Sequence, residues 1–298
     1  MDCVVGDVLY EGKCVRGRQC KVIYCPACGY IHLHPKPSEE DLQEYYRTEY
    51  YGREKPDYDA EQRRQDDYLR EVTREKVSVL RPGPGVLALD VGCGRESLWV
   101  EEMRLNSDGF IGYGMDPSFD RPCEIVEGFY VANSWQHLDA TVERTAPGKK
   151  FDFVNLSFVL EHVVNPAEVL VNCWKRMEPH AKICVEVPND FSGLQMDLWQ
   201  NEGVPHWVST PDHVNYWWPK HMMRMLKRCG FGNLQVRTTH PVEKFISEGH
   251  DYRTNKEAAD FLVSERGKRQ KIWRESGQSK NSFFGRTFWV VAEKGLMG

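Results

Sequence analysis

From residue 86 onward, short apolar runs alternate with segments of helical period, and few folds accommodate that alternation. "VLALDV" (86–91), "GFIGYGMD" (109–116), "FDFVNLS" (151–157) and "AKICVEVP" (181–188) each read as a buried strand. Strands apolar on both faces belong in sheets covered on both sides, and strand–helix alternation makes such sheets mainly parallel. Two further strands are expected at "NLQVRTT" (233–239) and "RTFWVVAEK" (286–294). Helices fill the gaps. Across 165–177, Asn165 suits the cap and Pro166 the first turn, while Leu170, Cys173, Trp174 and Met177 share one face. Another helix carries Met222, Met225, Leu226 and Cys229 on one face and stops at Gly230.

The chain divides at two breakers, "HPKPSEED" (34–41) and "RPGPG" (81–85). Residues 1–37 form a cysteine-rich region and 38–80 a helical connector. Residues 81–298 form the main domain. In the connector, Ser38 and Asp41 predict a capping box, and Leu69, Val72, Lys76, Val79 and Leu80 mark a second helix. The highly charged segment 243–285 reads first as a solvated insertion, with a lid or a subunit contact as the sharper alternative. A net charge of −5 argues against a nucleic-acid partner, since phosphate binding calls for a basic surface. No apolar run is long enough for a membrane helix, and the first residues lack the pattern of a secretory leader. A cytoplasmic protein is therefore expected, and a homodimer is compatible with it.

The loop "DVGCGRES" follows the first strong strand. In open parallel sheets ligands bind beyond the carboxyl ends of strands, where glycines let the backbone approach closely. No Gly-Lys-Ser/Thr ending is present, so this is not a triphosphate loop. Ser97 stands where a dinucleotide fingerprint has its third glycine. Asp116 ends the next strand, 22 residues beyond Gly94, where a carboxylate can accept from ribose hydroxyls.

With "LALDVGCGRESL", "GYGMDPS", "FDFVNLSFVLEHVVNPAEVL" and "RMEPHAKICVEVPN" in this order, the chain resembles the class I S-adenosylmethionine-dependent methyltransferases over roughly 72–240 plus the last strand. The resemblance implies a Rossmann-like, seven-stranded, mostly parallel α/β sheet with helices on both faces. It implies that Asp90, Gly92, Cys93 and Gly94 shape the methionine end of the cofactor site, with Cys93 a small filler at the loop tip. Asp116, with Pro117, would hold the ribose. Ser157, Phe158 and Leu160 would lie near the methionine or sulfonium. No acidic residue matches the family's adenine side, where Asn133, Ser134 and Trp135 are the candidates. Pro179-His180-Ala181 replaces the usual Gly-Gly before the fifth strand, which alters a turn.

The cofactor's sulfonium makes its methyl group electrophilic, so the residue to seek is a base. The aromatic loop 191–218 should border the acceptor, with Trp199, His206, Trp207, His213, Tyr216, Trp217 and Trp218. "PDHVNYWW" resembles a segment of methyltransferases acting on sugars and related small molecules. His213 is the first candidate for general base and His162 the second. Tyr45, Tyr46, Tyr50 and Tyr51 either pack their helices or close over the acceptor.

Five of the ten cysteines fall in the first 28 residues. "CPACG" (25–29) is a Cys-x-x-Cys knuckle that offers two thiolates to a tetrahedral zinc. The other ligands must come from Cys3, Cys14, Cys20, His32 and His34. "CPACGYIHLHPKPSEEDLQEYY" resembles the zinc-ribbon leader fused to sugar and natural-product C-methyltransferases, but the first Cys-x-x-Cys usual there is absent. The set chosen is Cys14, Cys20, Cys25 and Cys28. The expected activity is methyl transfer to a small-molecule acceptor (a sugar, glycan or natural-product intermediate), with structural Zn2+. The alternatives are an RNA or protein methyltransferase that docks through the zinc region, or a non-catalytic binding module.

Overall fold

The computed structural model describes residues 6–46, 48–49, 66–94, 97–126, 128–203, 205–281 and 283–295. Cys3, Tyr50 and Tyr51 lie outside them. One sheet contains β4 (Leu87–Val91), β5 (Ile111–Met115), β6 (Cys123–Val126), β7 (Phe129–Ala132), β8 (Phe151–Ser157), β9 (Met177–Pro188), β11 (Phe231–Thr238) and β12 (Thr287–Lys294). Its order is β11-β12-β9-β8-β4-β5-β7-β6. The centre is parallel, and β12 runs antiparallel to both neighbours. Eight strands stand where seven were expected. The extra one is β6, an antiparallel edge strand on β7. Both arms of this hairpin are four residues long, and Ile125 on β6 is 68 % exposed, so no buried-strand pattern marks the edge.

Helices cover both faces, as the apolar runs require. On one face lie α4 (Trp135–Thr145), α5 (Pro166–Arg176) and α7 (Pro219–Arg228), through Leu138, Leu170, Cys173, Met222 and Leu226, while α6 (Gly193–Glu202) forms in the segment after β9. On the other lie α2 (Asp66–Leu80) and α3 (Leu98–Leu105), through Val77, Leu80, Trp99, Val100 and Met103. The expected caps are present. Asn165 accepts from Glu168 N at 3.4 Å. Before α1 (Glu39–Tyr45), Ser38 Oγ accepts from Asp41 N at 3.0 Å while Asp41 Oδ2 accepts from Ser38 N at 3.2 Å.

The charged segment 243–285 packs on the body of the domain. It folds as α8 (Glu243–Ser247), α9 (Lys256–Glu275) and α10 (Gln278–Asn281). At Gly267, α9 closes on α2, with Asp67 Cβ only 3.3 Å from where a side chain would begin. Buried Trp273 donates to Thr238 O at 3.1 Å, and Gln270 Oε1 accepts from His240 N at 2.8 Å. The exposed face carries the charge that dominates the composition.

The cysteine-rich region forms a second sheet of β1 (Val8–Lys13), β2 (Gln19–Cys25), β3 (Tyr30–Leu33) and β10 (Asn215–Tyr216), in that order. Its last strand comes from the loop after β9, so the two sheets are joined by main-chain pairing, Asn215 opposite His32. Cys14, Val22, Ile31, Leu33, Phe191, Trp207 and Tyr216 form the apolar joint. No described helix is long and apolar enough to cross a membrane.

Candidate active site

The glycine loop leaves β4 at the carboxyl edge of the parallel strands. Gly92 has φ +69°, and a Cβ there would stand 2.5 Å from Val159 Cγ2. Gly94 has φ +57° and no atom of the described residues within 4 Å of its Cβ position, so its backbone faces open space among them. Its N–H donates to Asp116 Oδ2 at 2.9 Å, tying the loop to the end of β5. Asp116 Oδ1 accepts from Ser118 N (2.9 Å) and Ser118 Oγ (2.7 Å), with Pro117 exposed alongside.

Asp90 is turned inward. Oδ2 accepts from Ser97 Oγ at 2.6 Å, Oδ1 from Asn155 Nδ2 at 2.7 Å, and burial raises the carboxyl to about 6 despite both bonds. Asp90 thus braces the loop against α3 and β8. Cys93 also points inward, with Sγ in the space a Gly114 side chain would take, and burial pushes its thiol far above the ordinary range. That is a packing role, as a filler requires.

The remaining positions divide. Ser157 ends β8, and Phe158, at φ +57°, is exposed beside it. Leu160 buries its side chain in the core and turns only its carbonyl toward Asn215 Nδ2, at 2.8 Å. Ser134 caps α4 by accepting from His137 N at 3.3 Å, and Asn133 bonds Phe119 O and His137. Trp135 lies 4.8 Å from the Arg176 guanidinium and belongs to the helical layer. Lys76 escaped sequence reasoning as a site residue. It is buried, ion-paired with Glu186, and donates to Ser157 Oγ at 2.8 Å. Burial works against its ammonium, but Glu186 outweighs this and raises its pKa. A charge within an otherwise apolar helical stripe was the available signal.

His162 and His213 meet, with ring centroids 5.0 Å apart. The backbone enforces this. Val214 N and Asn215 N both donate to Glu161 O (2.8 and 3.0 Å), and Asn215 Nδ2 bonds Leu160 O and Val163 O. His162 Nδ1 lies 3.0 Å from Asp212 Oδ1 and 3.0 Å from Asp212 O. Tyr46 donates to Asp212 Oδ1 at 2.8 Å and so reaches this group. Burial opposes charge on His162, but Asp212 and Glu161 prevail and lift it to about 9. Burial and the charge of His162 push His213 down to about 3. Burial raises buried Glu161 to about 7. The other aromatics of 191–218 mostly build the joint between sheets: Trp207, Tyr216 and Trp217 are core residues.

Cys25 and Cys28 lie with His32, one ligand atom from each within 4.8 Å of the others. Gly29, at φ +81°, donates to Cys25 O at 2.8 Å, and Cys28 N to Cys25 Sγ at 3.4 Å. His32 Nδ1 bonds Leu33 O at 2.6 Å, leaving Nε2 buried without a partner, and burial lowers its pKa to about 4. Cys14 and Cys20, expected with Cys25 and Cys28, are elsewhere. Cys20 and Cys25 sit at opposite ends of β2, so at about 3.3 Å per residue their Cα atoms are roughly 16 Å apart. An odd spacing also turns them to opposite faces, and Cys14 packs in the apolar joint.

Residues 62–236 match the family model described as a methyltransferase domain. A SAM-dependent methyltransferase of Thermotoga maritima superposes with a TM-score of 0.50 at 14 % identity, covering 82 % of this chain and 98 % of that one. One from Archaeoglobus fulgidus gives 0.46 at 19 % identity, covering 76 % and 94 %. A Haemonchus contortus phosphoethanolamine N-methyltransferase, solved with S-adenosyl-L-methionine, gives 0.39 at 14 % identity, covering 76 % and 52 %. At these identities structural likeness speaks for the fold alone. No curated protein matches significantly. The open backbone at Gly94 and the carboxylate of Asp116 beside it fit the cofactor that this domain uses. More than half of the chain lies within the matched domain, and the protein belongs to the class I S-adenosylmethionine-dependent methyltransferases.

Proposed function

We propose that the enzyme transfers the methyl group of S-adenosylmethionine to a polar small molecule held between the carboxyl edge of the large sheet and the N-terminal sheet. The supporting observation is a set of buried polar atoms that have no hydrogen-bond partner among the described residues. Glu161 Oε2 and His213 Nδ1 are two of them, and the buried carboxylate of Asp190, facing Gln195 and 3.8 Å from Arg286, lies within electrostatic reach of Glu161. An unpaired buried polar group costs about 1–3 kcal/mol, so native proteins seldom leave several together. An acceptor rich in hydroxyl or amino groups would satisfy them: a sugar, a glycan or a natural-product intermediate. The test uses methyl-labelled cofactor and a size-fractionated cell extract. Label should enter the small-molecule filtrate. Label in the RNA or protein fraction overturns this reading.

S-adenosylmethionine supplies a methyl group that is already electrophilic, and the chain places the acceptor in line and receives its proton. In this reading Gly92 and Gly94 border the methionine, held by Asp90 and Cys93, together with Ser157, Phe158 and the Leu160 carbonyl. Asp116 and Pro117 border the ribose, and Ser134 the adenine. His213 faces the acceptor with His162 behind it. Asp116→Ala removes both the ribose acceptor and the tie to Gly94 N. Calorimetry with S-adenosylhomocysteine should then show about 10–100-fold weaker binding, the equivalent of roughly 1.5–3 kcal/mol. Wild-type affinity would remove Asp116 from the role.

Residues 1–37 are, in the same reading, a zinc ribbon of the kind fused to sugar and natural-product methyltransferases. Cys25, Cys28 and His32 would supply three ligands, and the donors suit zinc. Freshly reduced protein should carry stoichiometric zinc by elemental analysis, and Cys28→Ser should lose it. Metal-free wild type would sink this part.

A further inference from the structure

We infer that Glu161, His162 and His213 form a binding site for a divalent transition-metal ion at the acceptor side of the cofactor. One ligand atom from each lies within 4.8 Å of the other two. Two imidazoles and one carboxylate, with further positions open, suit zinc, iron(II), manganese or cobalt.

Three independent details point to an ion rather than a hydrogen-bond network. First, His162 is held as a metal ligand is held. A ligating imidazole characteristically gives its second nitrogen to a carboxylate or a carbonyl. Here Nδ1 meets Asp212 Oδ1 and Asp212 O, both at 3.0 Å, which turns Nε2 toward Glu161 Oε1 at 3.8 Å. Asp212 is itself fixed by Tyr46 at 2.8 Å and by Arg16 at 3.5 Å. Second, ligand atoms stand unused. Glu161 is 1 % exposed, and among the described residues its Oε2 has no hydrogen bond and the buried Nδ1 of His213 has no partner. Third, the two segments are bound together at the ligands themselves, because Glu161 O accepts from both residues that follow His213. Metal–nitrogen and metal–oxygen bonds of about 2.0–2.2 Å would draw the three atoms to a spacing of roughly 3–3.5 Å.

Such an ion would bind an acceptor oxygen and lower its pKa, its proton leaving to water, as zinc lowers that of bound water from 15.7 to about 7. With the ion in place His213 is a ligand, and the ion rather than the imidazole acidifies the acceptor. Ion binding stands apart from the methyl-transfer reading. Its use on the acceptor rests on that reading.

The test loads chelator-stripped full-length protein with cobalt(II). Thiolate-bound cobalt absorbs strongly in the near ultraviolet, whereas a nitrogen–oxygen site shows only weak visible bands. Glu161→Gln and His213→Ala should each lose one equivalent of cobalt and the weak visible component, while the thiolate absorption stays. Cys28→Ser should do the reverse. S-adenosylhomocysteine calorimetry on the same samples shows that the variants are folded and tests the methyl-transfer reading separately. If folded Glu161→Gln and His213→Ala bind as many equivalents as wild type, with an unchanged visible spectrum, the site does not exist.

Discussion

His213→Ala lowers turnover by about 10²- to 10⁴-fold, the range for losing a group that manages a proton in the transition state. S-adenosylhomocysteine affinity stays within a factor of two. The two effects separate because the cofactor loop and the histidine belong to different strand ends. Gly94 and Asp116 close the loop among β4 and β5, whereas His213 is held through Glu161 O and Ser209 O in the segment before β10. The loop can therefore bind the cofactor whether or not the imidazole is present. The readout is label transfer to the small-molecule fraction beside calorimetry on the same preparation. Unchanged turnover would take His213 out of the reaction, both as proton acceptor and as ligand.

Lys76→Met destabilises the fold by about 3–5 kcal/mol, measured by urea unfolding. The side chains of Lys76 and Glu186 are each about 4 % exposed, and their pairing spans α2 and β9. Glu186 Oε1 accepts from Thr287 Oγ1 at 2.9 Å, and Lys76 also donates to Ser157 Oγ. Removing the ammonium leaves a carboxylate in the sheet's interior with one hydroxyl for company. Domains of ordinary stability hold about 5–15 kcal/mol in all, so this loss is a large share. The double variant Lys76→Met, Glu186→Gln removes both charges and should recover most of it. A single variant as stable as wild type would show that the pair contributes nothing.

The parts of the site that could be read from sequence are those built from consecutive residues. The glycine loop needs positive φ at Gly92 and Gly94, and that need is visible where the glycines stand. Asp116 is visible because it ends an apolar run. His162 and His213 were each identified, but not that they touch. Their meeting depends on Asn215 pairing with His32 across the two sheets and on Glu161 O accepting two bonds. Asp212 adjoins His213 in the chain, yet nothing in "PDHVNY" says that its carboxylate faces His162.

The cysteines of the N-terminal region show the limit most sharply. Cys20 and Cys25 look equivalent in a spacing pattern. Once residues 19–25 form a strand, they lie at opposite ends and on opposite faces, and His32 on the neighbouring strand lies closer to Cys25 than Cys20 does. The edge strand β6 is illegible for a related reason, because an exposed strand has no periodic apolar signature.

The sequence by itself determined the central strands, the capped helices, the glycine loop and the family, because each follows from backbone preferences and apolar period within a short window. Tertiary structure alone decided which side chains meet. It made the 243–285 segment part of the packed body and carried β10 into the N-terminal sheet. It paired Lys76 with Glu186 and set Glu161, His162 and His213 around one point. Those outcomes depend on which strand edge is open and which faces turn toward each other, and no local run of residues encodes either.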